Sequence, residues 1–372
     1  MRVGICSHFI RRSGGKQRFT ENLLSSLAKE GDLDLFLVET NTEASYELDL
    51  DQIPIVGFRS PYKTVPANCL HRLNNIREIN KYDLDIIHCP GEVIPPYFWR
   101  VDAKKIITFG GDEPVSDFAF TDILSPYHML SLSAIKLFSE KVSRFTIVSD
   151  LMRGNIKSGY GIATEKIKTI PHGINRDVFY PREEEEIHDV RVNLNLPQNY
   201  ILHVSSFRKV KNTERIVRAF AKTNHQESCL VFAGKKRNEF ERIKMLTKEL
   251  GIGSHVQFLG YVGEELPALY SGAEALCQPS HRETFSFPVA ESLACGTPVI
   301  TSPRIGALED LPYPESLIVD PGDTESIAEV MDAAINSNSL MSIDCSNWST
   351  THLNSWKETA NRYMELYENV LK

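Results

Sequence analysis

Short runs of apolar and β-branched residues alternate along the chain with segments whose apolar positions recur at helical spacing, the pattern of β-α-β units around a parallel sheet. In the first half the predicted strands are 3–6, 33–38, 85–88, 105–108, 145–148 and 168–170. The stretch PHGINRDVFYPREEEE, residues 171–186, combines turn residues with a four-glutamate run, as a surface connection between domains does. A second alternating series follows. Its predicted strands are 200–204, 229–233, 256–259, 275–277, 299–301 and 317–319, with helices near 213–222, 239–250, 264–270, 288–295 and 324–335. Beyond a Ser- and Asn-rich polar stretch (336–350), WKETANRYMELYENVLK sets Trp356, Tyr363, Leu366, Tyr367 and Val370 on one face of a terminal helix. The expectation is an α/β protein of two Rossmann-like halves, with ligands outside the carboxyl ends of the strands.

Totals narrow this only a little. A chain of 372 residues has room for two domains, and 42% hydrophobic with 24% charged residues is ordinary globular composition. No apolar run reaches the ~18–20 residues of a membrane span, and MRVGICSHFIRR loses its apolar character at Ser7 and His8, too early for a signal peptide; a cytosolic protein is expected. Seven irregularly spaced cysteines, with no CxxC pair, fit reduced thiols in packed strands. The formal charge of −8 is uneven: residues 1–180 carry 22 basic and 22 acidic side chains, residues 181–372 carry 19 and 27. Arg2, Arg11, Arg12, Lys16 and Arg18 crowd the start, a cluster suited to phosphates or an anionic membrane surface, or else a solvated basic loop. No nucleic-acid partner is expected.

Candidate chemistry lies in loops that follow strands. SHFIRRSGGKQRF follows the first strand; Gly14 and Gly15 permit close backbone approach, and a helix starting near Gln17 would aim its free N–H groups at an anion. HVSSFRKVKN opens the second half in the same way and carries Arg208, Lys209 and Lys211, cations suited to a leaving diphosphate. In HRETFSFPVAESLACGTPVI, Pro288 suits a first helical turn, which puts the N–H groups of Ser286 and Phe287 at a helix N-terminus. Glu291 falls one turn inside that helix and Glu283 lies in the loop before it, so both carboxylates can face one cleft beside the anion site. Gly296 and Pro298 end the helix.

HRETFSFPVAESLACGTPVITS resembles the E-x7-E signature of retaining GT-B glycosyltransferases of family 4. The likeness runs through SGGKQRF, IVSDLMRGNIKSGYGIATEKIKTIPHGINRDVFYP, VFAGKK, VQFLGYVGEELPALYSGAEALCQPS and LIVDPGDTESIAEVM. It implies two Rossmann-like domains facing across a cleft, 1–178 for the acceptor and 179–354 for the donor, with helix 355–372 crossing back to the first. It further implies that Glu291 holds ribose hydroxyls, Glu283 reaches the donor sugar, Phe258, Gly260 and Tyr261 lie by the nucleobase, and Ser286, Phe287 and Lys211 take the diphosphate. Transfer with retention, without metal or cofactor, from a UDP- or GDP-sugar to a glycan or lipid-linked acceptor is the implied activity, with peripheral membrane association among the implied partners.

Departures from the family pattern are specific. Glu283-Thr284-Phe285-Ser286 replaces the usual Glu-Gly-Phe-Gly, and Ser205 and Ser206 stand where an arginine usually precedes the lysine, leaving Arg208 as its substitute. The usual acceptor-side histidine is absent from ITFGGDEP; Asp112, His88 or His128 are the candidates for its role. These gaps motivate an alternative, a nucleotide-sugar-binding scaffold subunit with impaired catalysis. His172 in PHGIN is a further cleft candidate, and Tyr127, His128 and Met129 could shape an acceptor pocket or simply pack. The Asp-Leu-Asp triplets at Asp32, Asp49 and Asp83 read as polar strand ends, with no metal assigned.

Overall fold

The computed structural model describes residues 1–6, 15–30, 33–39, 53–57, 76–92, 94–110, 126–336 and 344–372. The chain divides into two compact units, Met1–Gly173 with Asn354–Lys372, and Ile174–Leu353. The division falls at Gly173/Ile174, where the sequence reading put it at 178/179.

Unit 1 is built on a parallel sheet of seven strands: β1 (Arg2–Cys6), β2 (Asp34–Glu39), β3 (Ile55–Gly57), β4 (Ile86–Cys89), β5 (Lys104–Phe109), β6 (Arg144–Ile147) and β7 (Ile167–Thr169), in the order β3-β2-β1-β4-β5-β6-β7. β1 and β4 are buried almost throughout, as strands covered on both faces must be. Its described helices are α1 (Gly15–Glu30), α2 (Ile76–Asn80), α3 (Pro126–Phe138), α4 (Arg153–Tyr160) and the last of the chain, α12 (Trp356–Leu371). Leu23, Leu24 and Leu27 of α1 are fully buried, and α1 packs on α12. The terminal helix therefore belongs to the first unit.

That helix starts where local chemistry says it should. Ser355 Oγ accepts the Glu358 N–H (3.2 Å) while Glu358 Oε2 accepts the Ser355 N–H (2.6 Å), a reciprocal cap worth about 1 kcal/mol. Trp356, Ala360, Tyr363, Leu366 and Tyr367 form its buried stripe. Gly173 lets the two chain crossings meet: a Cβ there would stand 2.4 Å from the Trp356 backbone nitrogen.

Unit 2 holds a five-stranded parallel sheet, β8 (Asn199–Val204), β9 (Ser228–Ala233), β10 (Val256–Gly260), β11 (Ala275–Gln278) and β12 (Val299–Thr301), in the order β10-β9-β8-β11-β12. Around it lie α5 (Glu184–Asn193), α6 (Thr213–Phe220), α7 (Phe240–Glu249), α8 (Leu266–Ser271), α9 (Phe287–Ala294), α10 (Thr324–Asn336) and α11 (Cys345–His352). Both sheets reverse direction of growth beside their first strand, at β1/β4 and at β8/β11, the topological switch points where such sheets bind ligands.

Several expectations need correction. The four-glutamate run is no linker: Glu184, Glu185 and Glu186 fill the first turn of α5, where acidic groups oppose the helix dipole. Residues 317–319 form no strand; proline-flanked, they make only a bridge from Ile318 to Thr301. The polar stretch before the last helix contains α11, capped by Asp344, whose Oδ1 accepts the Asn347 N–H at 2.9 Å. β3 escaped notice because it is three residues long and follows Pro54 directly. The six described cysteines are buried thiols. Among the described residues no helix is long and apolar enough to cross a membrane.

Candidate active site

The loops after β8 and β11 meet at the unit 2 switch point. The β8 loop is pinned at its start: the Ser205 N–H donates to the Ala233 carbonyl (2.9 Å), and Gly234 must be glycine because a Cβ would lie 1.8 Å from the Ser205 oxygen. At its end Asn212 takes a left-handed conformation (φ 59°), buried, and its side-chain amide donates to the carbonyls of Pro279 (3.0 Å) and Pro321 (2.7 Å). Between these anchors a single tight turn, residues 209–211, delivers Lys211. The Val210 carbonyl accepts the His281 N–H at 2.9 Å, so the turn is tied directly to the second loop.

The second loop is held from its other side. The Glu283 N–H donates to the Arg304 carbonyl (3.0 Å), and the Gly306 N–H donates to the Glu283 carbonyl (3.0 Å). Glu283 therefore faces Lys211, and the two form an ion pair at Oε1 with side chains only 12% and 17% exposed. Ser280 Oγ donates to the same oxygen at 3.0 Å. A pair this sheltered keeps more Coulombic force than one on the surface.

Behind Lys211 lies His203, fully buried at the end of β8. Its Nδ1 is 2.7 Å from the Cys277 carbonyl, which can only accept, so Nδ1 carries the hydrogen and Nε2 accepts from Ser205 Oγ (2.7 Å). Burial, with Lys211 nearby as a smaller contribution, lowers its pKa to about 4 and keeps the ring neutral. Arg208 is exposed, and its carbonyl accepts the Lys211 N–H (2.9 Å).

α9 begins at Phe287 with Pro288 in its first turn and Ser286 as N-cap; Gly296 follows its end in a left-handed conformation. Ser286 sits at φ 80°, a backbone region that side chains disfavour, and its buried Oγ has no hydrogen-bond partner among the described residues. This explains why glycine suits the position. Glu291 is 2% exposed and accepts the Tyr270 hydroxyl at Oε2 (3.1 Å), so it is held in place below the surface by α8. The two glutamates thus have separate partners: Lys211 and Ser280 for one, Tyr270 for the other.

The structure redistributes the remaining candidates. Phe258 is half-buried: its ring stacks on Phe232 (5.2 Å, 11°) and meets Phe240 edge-on, packed against the unit 2 core. Tyr261 is the exposed member of that stretch, at 71%, with Lys235 Nζ 5.4 Å from its ring centre. The Gly260 carbonyl accepts the Gly234 N–H.

In unit 1, His88 is no site residue. Nδ1 lies 2.8 Å from Tyr367 Oη and Nε2 2.7 Å from Thr108 Oγ1, and burial lowers its pKa to about 3. His172 is packed against Phe19 (4.5 Å between rings) and Trp356, with its pKa likewise lowered to about 3. Arg2 leaves the basic cluster: it serves the start of β1, donating to the Tyr82 carbonyl (3.2 Å) and pairing with Asp34. Gly15 opens α1. Gly14, Asp112, Arg11 and Arg12 lie outside the described residues, as do the side chains of Lys16, Tyr127, His128 and Met129.

Three residues went unnoticed in the sequence. Ser280 and Asn212 act through hydrogen bonds that only the fold creates. Glu92, after β4, is 5% exposed and accepts the Gly110 N–H at 2.8 Å, fixing the end of β5; a lone acidic residue in CPGEV gave no signal.

Residues 184–350 match the family described as glycosyl transferases group 1, and residues 13–178 match Glycosyltransferase Family 4. The chain belongs to this glycosyltransferase family. Among curated relatives it is 29% identical over 227 residues to the D-inositol 3-phosphate glycosyltransferase of Corynebacterium jeikeium, covering 57% of this chain and 54% of that protein. It is 29% identical over 166 residues to the N-acetyl-alpha-D-glucosaminyl L-malate synthase of Bacillus anthracis, covering 45% and 41%. The chain spans about half the length of the curated relatives it matches. Its fold is that of HepE from Anabaena, solved in complex with UDP and glucose (TM-score 0.81, 15% identity, 99% of this chain and 100% of that one). WaaG, a glycosyltransferase involved in lipopolysaccharide biosynthesis, shares it too (TM-score 0.71, 17% identity, 99% and 98%). The fold is GT-B.

Proposed function

We propose that the protein transfers a hexose from a nucleotide diphosphate sugar to a glycan or lipid-linked acceptor, with retention at the anomeric carbon and without a metal. The observation that carries this reading is the Lys211–Glu283 pair at the β8/β11 switch point, four residues before the start of α9. As the bond from the anomeric carbon to the diphosphate breaks, its electron pair leaves with the nucleotide. Lys211, with Arg208 on the same loop, and the N-terminal N–H groups of α9 would stabilise that growing negative charge. Glu283 would accept a hydroxyl of the sugar, and Glu291, already oriented by Tyr270, a ribose hydroxyl. The intact, sheltered ion pair favours catalysis over the scaffold alternative, which the missing acceptor-side histidine had suggested.

The test is a thermal-shift screen with UDP, GDP, ADP and dTDP, followed by turnover of the matching sugar donors. One nucleotide at 100 times its Kd should stabilise the chain by about 2.7 kcal/mol. If none of the four shifts the midpoint at millimolar concentration, the reading is wrong. Binding without donor hydrolysis or transfer across an acceptor panel would return the scaffold alternative.

A further inference from the structure

Resting on the reading above, we propose that Ser280 is the positioning residue of the Lys211–Glu283 pair, and that it leaves a single carboxylate oxygen, Glu283 Oε2, to read the donor sugar. Ser280 is fully buried just beyond β11, and its backbone is fixed: the carbonyl accepts Ser302 Oγ (2.6 Å) and the N–H donates to the Gln278 carbonyl (2.8 Å). Its side chain is fixed as well. Gln278 Nε2, also fully buried, donates to Ser280 Oγ at 3.3 Å, and Ser280 Oγ lies 3.0 Å from Glu283 Oε1.

The direction of this chain follows from chemistry. A carboxylate only accepts, so the serine hydrogen points at Glu283; the Gln278 amide must then present its nitrogen to the serine, which leaves its oxygen without a partner among the described residues, as observed. Lys211 Nζ occupies the same Oε1. Two donors on one oxygen hold the carboxylate plane from two directions. No hydrogen bond reaches Oε2 from the described residues.

A free carboxylate can clasp two neighbouring hydroxyls, one on each oxygen. Here only Oε2 remains, so the site should depend on the hydroxyl that meets it. Without Ser280 the carboxylate could swing about Lys211 and the sugar would be held loosely, while the nucleotide, held by Lys211, the start of α9 and Glu291, would keep its contacts.

The experiment compares wild type, Ser280→Ala and Ser280→Cys in the full chain by calorimetry, each with UDP and UDP-glucose, or with the nucleotide and matching sugar donor that the screen selects. Ser280→Ala should weaken the sugar donor about tenfold relative to the bare nucleotide, the size of one lost charge-assisted hydrogen bond. Ser280→Cys, nearly isosteric with a weak donor, should fall between the two. Nucleotide affinity should stay within about twofold in both variants. An unchanged ratio of donor to nucleotide affinity, or equal weakening of both, overturns the proposal and leaves Ser280 a packing residue. Wild type that binds no nucleotide is a different result: it overturns the functional reading itself, and this inference with it.

Discussion

The two units repeat one strand order around one kind of switch point, yet they treat the polar residues there in opposite ways. In unit 2, the loops beyond β8 and β11 bring Lys211 and Glu283 together as a pair with one oxygen to spare. In unit 1, His88 near the end of β4 is consumed by the protein itself: α12 lies over it, Tyr367 takes one ring nitrogen and Thr108 the other, and Tyr363 continues the network to Thr108 (3.1 Å) and Thr146 (3.2 Å). Topology says where a ligand can bind. Whether a polar side chain there is available depends on which face of the strand it occupies and what already covers that face.

The largest effect should come from breaking the unit 2 pair. Lys211→Ala removes the cation nearest the proposed diphosphate and should lower donor turnover by about 10²–10³, the scale seen when one group stabilising transition-state charge is deleted. Glu283→Gln, which keeps shape but loses charge and the partner of Lys211, should lower it by at least tenfold. Rates of donor hydrolysis, measured beside the melting midpoint, separate lost chemistry from lost fold. A Lys211→Ala protein that keeps more than about a tenth of wild-type turnover would mean that the switch point of unit 2 is as structural as that of unit 1.

Acid should sharpen the contrast. His88 and His172 in unit 1 and His203 in unit 2 are neutral when folded, with pKa values lowered by burial to about 3, 3 and 4. In the unfolded chain each takes a proton below about 6.5. The unfolded state then binds more protons, so the stability from burying these neutral rings is complete above pH 6.5 and is lost as pH falls toward 4 and then 3. The upper bound is ~5 kcal/mol for each ring in unit 1 and less for His203. A melting midpoint followed from pH 7 to 4.5 should fall, and His172→Phe should flatten its slope. A midpoint that holds steady would show that the rings are already protonated in the fold.

How much of this was legible follows the same physics. Apolar periodicity exposed eleven of the twelve strands among the described residues because burial on both faces demands continuous apolar runs; it missed β3, too short to show a period. It also predicted a strand at 317–319, where flanking prolines left one bridge. The helix at Phe287 was readable from Pro288 and Gly296, since caps and first turns are local chemistry. Lys211 and Glu283 could be named, being charged residues in strand-end loops, but their pairing joins positions 72 apart and only the fold makes it. Phe258 shows the converse: its ring contacts are with Phe232 and Phe240, which no window around Phe258 contains, so its packing against the core was invisible in the local sequence.

The smallest effect concerns Ser286, and its sign is the useful part. The residue is 6% exposed, sits at φ 80°, and buries a hydroxyl that meets no partner among the described residues. Ser286→Gly relieves a backbone conformation that disfavours Cβ, worth about 1 kcal/mol, and removes an unsatisfied hydroxyl, worth roughly 1–3 kcal/mol. Against this stands the greater freedom of glycine in the unfolded chain, about 0.5–1 kcal/mol. The balance is a gain of about 1–3.5 kcal/mol, and for a unit of this size each kcal/mol raises the melting midpoint by about 2–4 °C. A fall would show that the serine hydroxyl is bonded in solution, and that the turn before α9 is built around its side chain.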